Sequence, residues 1–240
     1  MQQITPRLND ERLDYLDGLR GIAVLMVVLS HTSNNGLHIV PFLNMAGSGK
    51  VGVWLFFVLS AFLLTRKLDG KARRGGLTPG VCAEYAVHRV ARIMPLLTLV
   101  LLGYLAAGRF TAQHVVEHLL LLRGDFIFWA IPVECYYYVV IPILVWTYDT
   151  VFRKRFGAFL ALLVPLAIAG HVLFPPSLAF NNSINLLVYL SVFLCGSIIA
   201  LTVTDPPRGL RPSRMATLAA GSCVFLLTPS ILNGVLESLG

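Results

Sequence analysis

The chain is punctuated by apolar runs about as long as a bilayer is thick. A helix rises 1.5 Å per residue, so about 20 apolar residues cross the hydrocarbon core. Seven such runs can be read, at 17–35, 47–65, 93–108, 126–148, 156–174, 184–203 and 215–236. Only 13% of the residues are charged and 56% are hydrophobic, against about a quarter charged in soluble domains. A chain this apolar cannot keep its surface in water. Inside a bilayer every backbone N–H and C=O must find a partner within the protein, and helices do this locally. The expected fold is therefore all-α, a polytopic integral membrane bundle of about seven spans.

Charge placement sets a topology. With the N-terminus in the cytoplasm, only Lys50, Arg109 and Arg123 of the 19 basic residues fall on the outer side. Such asymmetry follows the positive-inside rule. The net charge of +7 is then mostly topological, and no nucleic acid partner is expected. Met1–Tyr15 is polar and no small-residue cleavage site follows the first run, which reads as a signal anchor and first span. "RKLDGKARRGGLTPG" reads as a Gly-rich basic loop, and "VCAEYAVHRVAR" as a helical lead into the third span. "FTAQHVVEHLLLLRGD" reads as an interfacial or re-entrant piece.

Ionisable residues inside the runs are the candidates for chemistry. In "LDGLRGIAVLMVVLSH", eleven residues separate Arg20 from His31. That is three helical turns plus about 20°, so both project from one face, about 16 Å apart along the axis. Asp17 lies on the same side, three residues before Arg20. Such a stripe belongs in the bundle interior or a water-filled cavity, although Arg20 could instead snorkel to the boundary. The imidazole of His31 suits a general base near neutral pH. The fourth run, "FWAIPVECYYYVVIPILVW", carries Glu134, with Tyr138 four residues on. A carboxylate at that depth needs a partner or a proton. By this topology Glu134 and His31 sit at similar depth, where the acid could orient the imidazole; the alternative is a helix-packing hydrogen bond from Glu134 to a tyrosine or a backbone group. Arg89 and Arg92 share a helix face and suit a phosphate-bearing ligand. On spacing alone, the reading as positive-inside anchors is the stronger one for this pair.

Two strings mimic other motifs. "HVVEH", His114 to His118, matches an inverted zinc-peptidase pattern, but it is short and no third ligand follows. No metal is expected. "GSGK", Gly47 to Lys50, lacks P-loop spacing and reads as the turn before the second span. Cys82, Cys135, Cys195 and Cys223 form no C-x-x-C pair and suggest neither a disulfide framework nor a zinc site.

Taken together, these strings resemble the membrane-bound acyltransferase-3 family, which includes O-antigen, other polysaccharide and Nod-factor acetylases. "LDGLRGIAVLMVVLSH" is similar to its R-x10-H signature, giving Arg20 and His31. "GVWLFFVLSAFLLT" resembles its second-span motif, with Ser60 in place and Ala61 where glycine is usual. "HRVARIMP" resembles its R-x-x-R-I-x-P element, giving Arg89, Arg92 and Pro95. "FWAIPVECYYYVVIP" resembles its W-x-x-x-V-E-x-x-x-Y motif, giving Trp129, Glu134 and Tyr138, and "SVFLCGSIIA" a later F-x-x-G span. The resemblance implies about ten membrane helices and an acyl-CoA donor, usually acetyl-CoA, on the cytoplasmic side. It implies transfer to a hydroxyl of a carbohydrate or glycolipid acceptor, in the plasma (bacterial inner) membrane and among its lipids. It implies catalysis by His31 and donor binding by Arg20, Arg89 and Arg92; the chemistry of the residues adds Glu134 as the acid that orients His31, with support expected from Asp17, Ser60 and Tyr138. Residues 1–240 are expected to form a single transmembrane domain, C-terminally truncated against that pattern, with no soluble second domain. The competing expectations are a non-enzymatic transporter or scaffold, and an inactive truncated acyltransferase. Against the transporter, no repeat halves are visible.

Overall fold

The structure, a computed structural model, describes residues 14–37, 39, 45–174, 178 and 182–204. The described residues are helical throughout their length apart from turns. In chain order the helices are α1 (Asp14–Asn34), α2 (Gly49–Gly75), α3 (Pro79–Ala106), α4 (Ala112–Leu119), α5 (Ala130–Trp146), α6 (Phe156–Leu173) and α7 (Leu186–Thr204). All but α4 belong to stretches long and apolar enough to cross a membrane, six in total among the described residues. The protein is an integral membrane helical bundle. The expected seventh run, 215–236, lies outside the described residues.

Two boundaries differ from the sequence expectation. The basic stretch after Thr65 is not a loop, because α2 continues through Gly75. Ion pairs support the extension: Arg73 reaches buried Asp69 at 2.7 Å, one turn back, and Lys71 reaches Glu84 of α3 at 2.7 Å. The true connection is Gly76 to Thr78. Gly76 takes φ +79°, a left-handed conformation that glycine adopts without a Cβ clash, and its N–H closes α2 on the Ala72 carbonyl. Thr78 then caps α3 by accepting from the Val81 N–H, with Pro79 opening the helix. Helix α3 therefore starts well before residue 93: the expected helical lead, with Arg89 and Arg92 in it, is continuous with the span.

Helix α4 is the short piece expected outside the spans. Its H-x-x-E-H string serves packing and capping. His114 supplies the return bond of a capping box with Thr111. Buried His118 stacks on Phe110, and its ring nitrogens meet the His114 carbonyl and the Asp125 N–H. The "GSGK" string forms the turn into α2, tied to the end of α1 by bonds from Gly47 N–H to Asn34 and from Met45 N–H to Ser33.

The core lies among α2, α5, α6 and α7. Phe57, Phe193 and Tyr137 form a stack, with centroids 4.4 and 4.3 Å apart. Lipid tails are as apolar as leucine, so helices here associate by close packing and hydrogen bonds. Gly196 of α7 provides the closest approach. A Cβ built there would lie 2.2 Å from the Val58 carbonyl oxygen and 2.9 Å from the Ala61 Cβ. The alanine at 61, where the family motif has glycine, is thus accommodated by a glycine on the facing helix. Beside this contact Ser197 bonds Thr65 at 2.8 Å and Tyr137 at 2.6 Å, joining three helices through buried hydroxyls. Helices α1 and α2 meet in the same way at Gly52, where a Cβ would lie 2.7 Å from the Ala23 carbonyl oxygen.

Candidate functional site

A cavity of about 350 Å³ opens between α1, α2, α3 and α5. Its polar wall is made by Arg20, Ser60, Arg89, Arg92, Glu134 and Tyr138. Leucine, isoleucine, valine and phenylalanine side chains complete the lining. Six of the eight residues expected from sequence to form a site therefore meet in one place, drawn from four helices.

Local geometry explains the convergence. Glu134 and Tyr138 are four apart on α5 and project together. Ser60 is buried on the face of α2 that meets α5. The Ser60 and Tyr138 hydroxyls are placed to donate to the Glu134 carboxylate, and Arg89 and Arg20 are the nearest cations to it. The Arg89 guanidinium carbon lies 5.9 Å from the Tyr138 ring centroid, within cation–π range. Arg20 reaches Asp17 at 3.5 Å, so Asp17 contributes from outside the cavity.

The cavity is short of anions. Three guanidinium groups face a single carboxylate. The Nε atoms of both Arg20 and Arg89 are buried without a hydrogen-bond partner, and so is the Tyr85 hydroxyl. Buried donors are ordinarily paired, so orphaned ones around an opening mark a place for an acceptor-rich ligand. An anionic group with phosphate or carboxylate oxygens would satisfy them in fork geometry.

His31 is placed elsewhere. It lies in the last turn of α1, is exposed, and is not part of the cavity lining. The expected pairing of His31 with Glu134 is not made here, because the carboxylate faces Ser60 and Tyr138 instead. The expected span, counted from residue 126, put Glu134 about two turns in from its outer end and level with His31. Its carboxylate instead shares the cavity with Arg20, whose charge acts on it, and His31 does not line that cavity.

Sequence reasoning missed Tyr85. The signal was available, since Tyr85, Arg89 and Arg92 follow at i, i+4 and i+7 on one helix. It also missed the Thr65–Ser197–Tyr137 bonds behind the cavity wall, for which isolated hydroxyl residues give no sequence signal.

The family model described as "Acyltransferase domain", that of acyltransferase-3, matches residues 13–236. "Protein 2 in picA locus" of Rhizobium radiobacter is 36% identical over 91 residues, which cover 38% of this chain and 43% of that protein. The chain thus aligns with less than half the length of that relative. No solved structure gives a significant match. The family match covers every residue of the cavity wall, and on that extent the chain belongs to the acyltransferase-3 family.

Proposed function

We propose that this protein is a membrane O-acyltransferase that moves an acyl group, acetyl being the simplest, from acyl-CoA to a hydroxyl of a carbohydrate or cell-envelope glycan. The observation that carries this reading is the cavity in which Arg20, Arg89 and Arg92 meet Glu134, Ser60 and Tyr138, with two arginine Nε atoms lacking acceptors. Acyl-CoA brings phosphates for the arginines and a slender thioester arm for the narrow apolar remainder.

In the proposed reaction the acceptor oxygen attacks the thioester carbonyl and forms the new ester bond. His31 takes the hydroxyl proton as general base. The C–S bond breaks, and the thiolate leaves with the CoA. Glu134 holds the arginine wall in place through its charge, and the Ser60 and Tyr138 hydroxyls orient it. Asp17 steadies Arg20. The axial distance from Arg20 to His31, about 16 Å for eleven helical residues, is the span that the extended donor arm must cover. The positive-inside pattern supports a cytoplasmic N-terminus, with the donor entering from the cytoplasm; the bacterial inner membrane is the location proposed with this reading.

The test is transfer of labelled acetyl from acetyl-CoA to membrane glycan by the full chain in lipid vesicles. Label in the glycan, lost with His31→Ala while the protein remains inserted, is the expected result. Membranes that transfer no label from any short-chain acyl-CoA would overturn the reading in favour of a transporter, a scaffold or an inactive acyltransferase.

A further inference from the structure

A second, smaller cleft adjoins the cavity on the side of the α2–α3 connection. It is lined by Lys67, Leu68 and Lys71 of α2 and by Tyr85 and His88 of α3. Leu64 and Arg89 line both it and the larger cavity. None of Lys67, Lys71, Tyr85 or His88 belongs to the motifs that carried the family resemblance, apart from the histidine that opens "HRVARIMP".

Its chemistry is cationic and open to exchange. Lys67 makes no ion pair among the described residues. Lys71 is held by Glu84, a partly exposed carboxylate, and exposed pairs of this kind are readily replaced by a stronger acceptor. His88 donates through Nδ1 to the Glu84 carbonyl oxygen at 2.7 Å, so Nε2 is an acceptor in the neutral ring and donates to a phosphoryl oxygen when the ring carries its second proton. The Tyr85 hydroxyl and Arg89 Nε, at the junction with the main cavity, are buried and unpartnered. The enclosed part of the cleft is about 20 Å³, room for one water-sized group. It fits a single phosphoryl oxygen, with the rest of the phosphate seated at the rim between the lysines.

We propose that this cleft is a phosphate subsite, gripping a phosphoryl group by Lys67, Lys71, His88 and the Arg89–Tyr85 junction. This rests on the acyl-CoA reading above and extends it: one of the donor's phosphates lies here, next to those held by the arginines, and the thioester arm runs past Arg89 into the larger cavity. An anionic lipid headgroup offers the same chemistry from the bilayer side, and the experiment separates the two sources.

The full chain is placed in phosphatidylcholine nanodiscs, and binding of CoA and of pantetheine, which lacks phosphate, is measured by calorimetry. Lys67→Ala/Lys71→Ala is compared with Arg74→Ala/Arg155→Ala, which removes the same charge away from the cleft. The expected result is CoA affinity at least about tenfold weaker in the cleft variant, near-wild-type CoA affinity in the control, and pantetheine affinity equal in all three. In a second arm, co-purified phosphatidylglycerol is quantified for the same proteins. Loss of bound lipid in the cleft variant alone, with CoA affinity unchanged, also supports the subsite and assigns it to lipid. Unchanged CoA affinity together with unchanged bound lipid overturns the proposal. If the unmodified chain binds no CoA, the acyl-CoA reading fails separately, and the lipid arm then decides the subsite by the same criteria.

Discussion

Helices α7 and α3 are both long and apolar enough to span a membrane, yet they are used in opposite ways. In its most apolar stretch 78% of α7 is buried within the protein, against 11% of α3. The α2–α7 seam is closely packed: glycine lies against backbone, three aromatic rings stack, and the Thr65, Ser197 and Tyr137 hydroxyls satisfy one another. The wall that α3 shares with α1 and α5 carries charge, an opening and donors without acceptors. Close packing fixes one side of Ser60 and Glu134 so that the other side can stay incomplete until a ligand arrives.

The contrast can be broken most severely at Gly196. Gly196→Leu would drive a side chain into the Val58 carbonyl oxygen, which is backbone and cannot swing aside. The expected cost is at least the ~1–3 kcal/mol of ordinary overpacking. It should appear as loss of monodisperse protein on size exclusion in detergent, whereas Leu99→Ala, on the exposed face of α3, should elute normally. A well-behaved Gly196→Leu protein would mean that the seam is not the rigid side.

Among the residues proposed for catalysis and donor binding, the largest effects should be on turnover. His31→Ala should lower kcat by about 10²-fold or more with the melting temperature unchanged. Glu134→Gln keeps the shape of the side chain but removes the charge facing Arg89 and Arg20. It should raise the KM for acyl-CoA more than it lowers kcat. If Glu134→Gln instead matched His31→Ala, with kcat alone reduced, the acid would be working with the imidazole after all. Arg89→Ala should weaken donor binding by about tenfold, measured as KM. An unchanged KM would return this arginine to a purely topological role.

Smaller effects should come from the hydroxyls behind the wall. Ser197→Ala leaves Tyr137 and Thr65 without their shared partner, and such bonds between membrane helices are worth about 0.6–2 kcal/mol. A modest fall in thermal midpoint with KM unchanged is expected. A large KM change would show that the seam tunes the ligand directly.

The smallest effect belongs to neither region. Outside the spans, Glu117 is held below the ordinary carboxyl value of 4.5 by the hydrogen bond from Arg123 and then by Gln113. A carboxyl with a lowered folded-state value stabilises the fold above 4.5 and loses that contribution as pH falls through the lowered value. A slight destabilisation below pH 4.5 that is absent in Glu117→Gln is the expected signature. Identical pH profiles for the two proteins would count against it.

The spans were legible because hydropathy over about 20 residues reports directly on the bilayer. Helix ends were less so. "GKARRGG" has loop composition, yet α2 continues through it to Gly75, where Arg73 pairs with Asp69 one turn back and Lys71 with Glu84, which only the folded hairpin brings near. In the cavity, the i, i+4 relation of Glu134 to Tyr138 and the i, i+3 relation of Arg89 to Arg92 could be read from spacing. The meeting of Arg20 with Glu134 could not, since it depends on how deeply each helix sits. The same uncertainty in depth suggested a His31–Glu134 pair that the structure does not form. Gly196 was visible only as one glycine in a motif, because its role lies in the backbone of another helix.

One consequence follows from the length of α2 and α3. At 27 and 28 residues they measure about 40 Å, some 10 Å more than a typical hydrocarbon core. That excess must tilt or protrude, and the end that can protrude carries Lys67, Lys71 and the three-residue connection. Membrane thickness thereby becomes a variable of this protein: a thinner bilayer leaves the basic rim standing farther into water, and a thicker one draws it toward the headgroups.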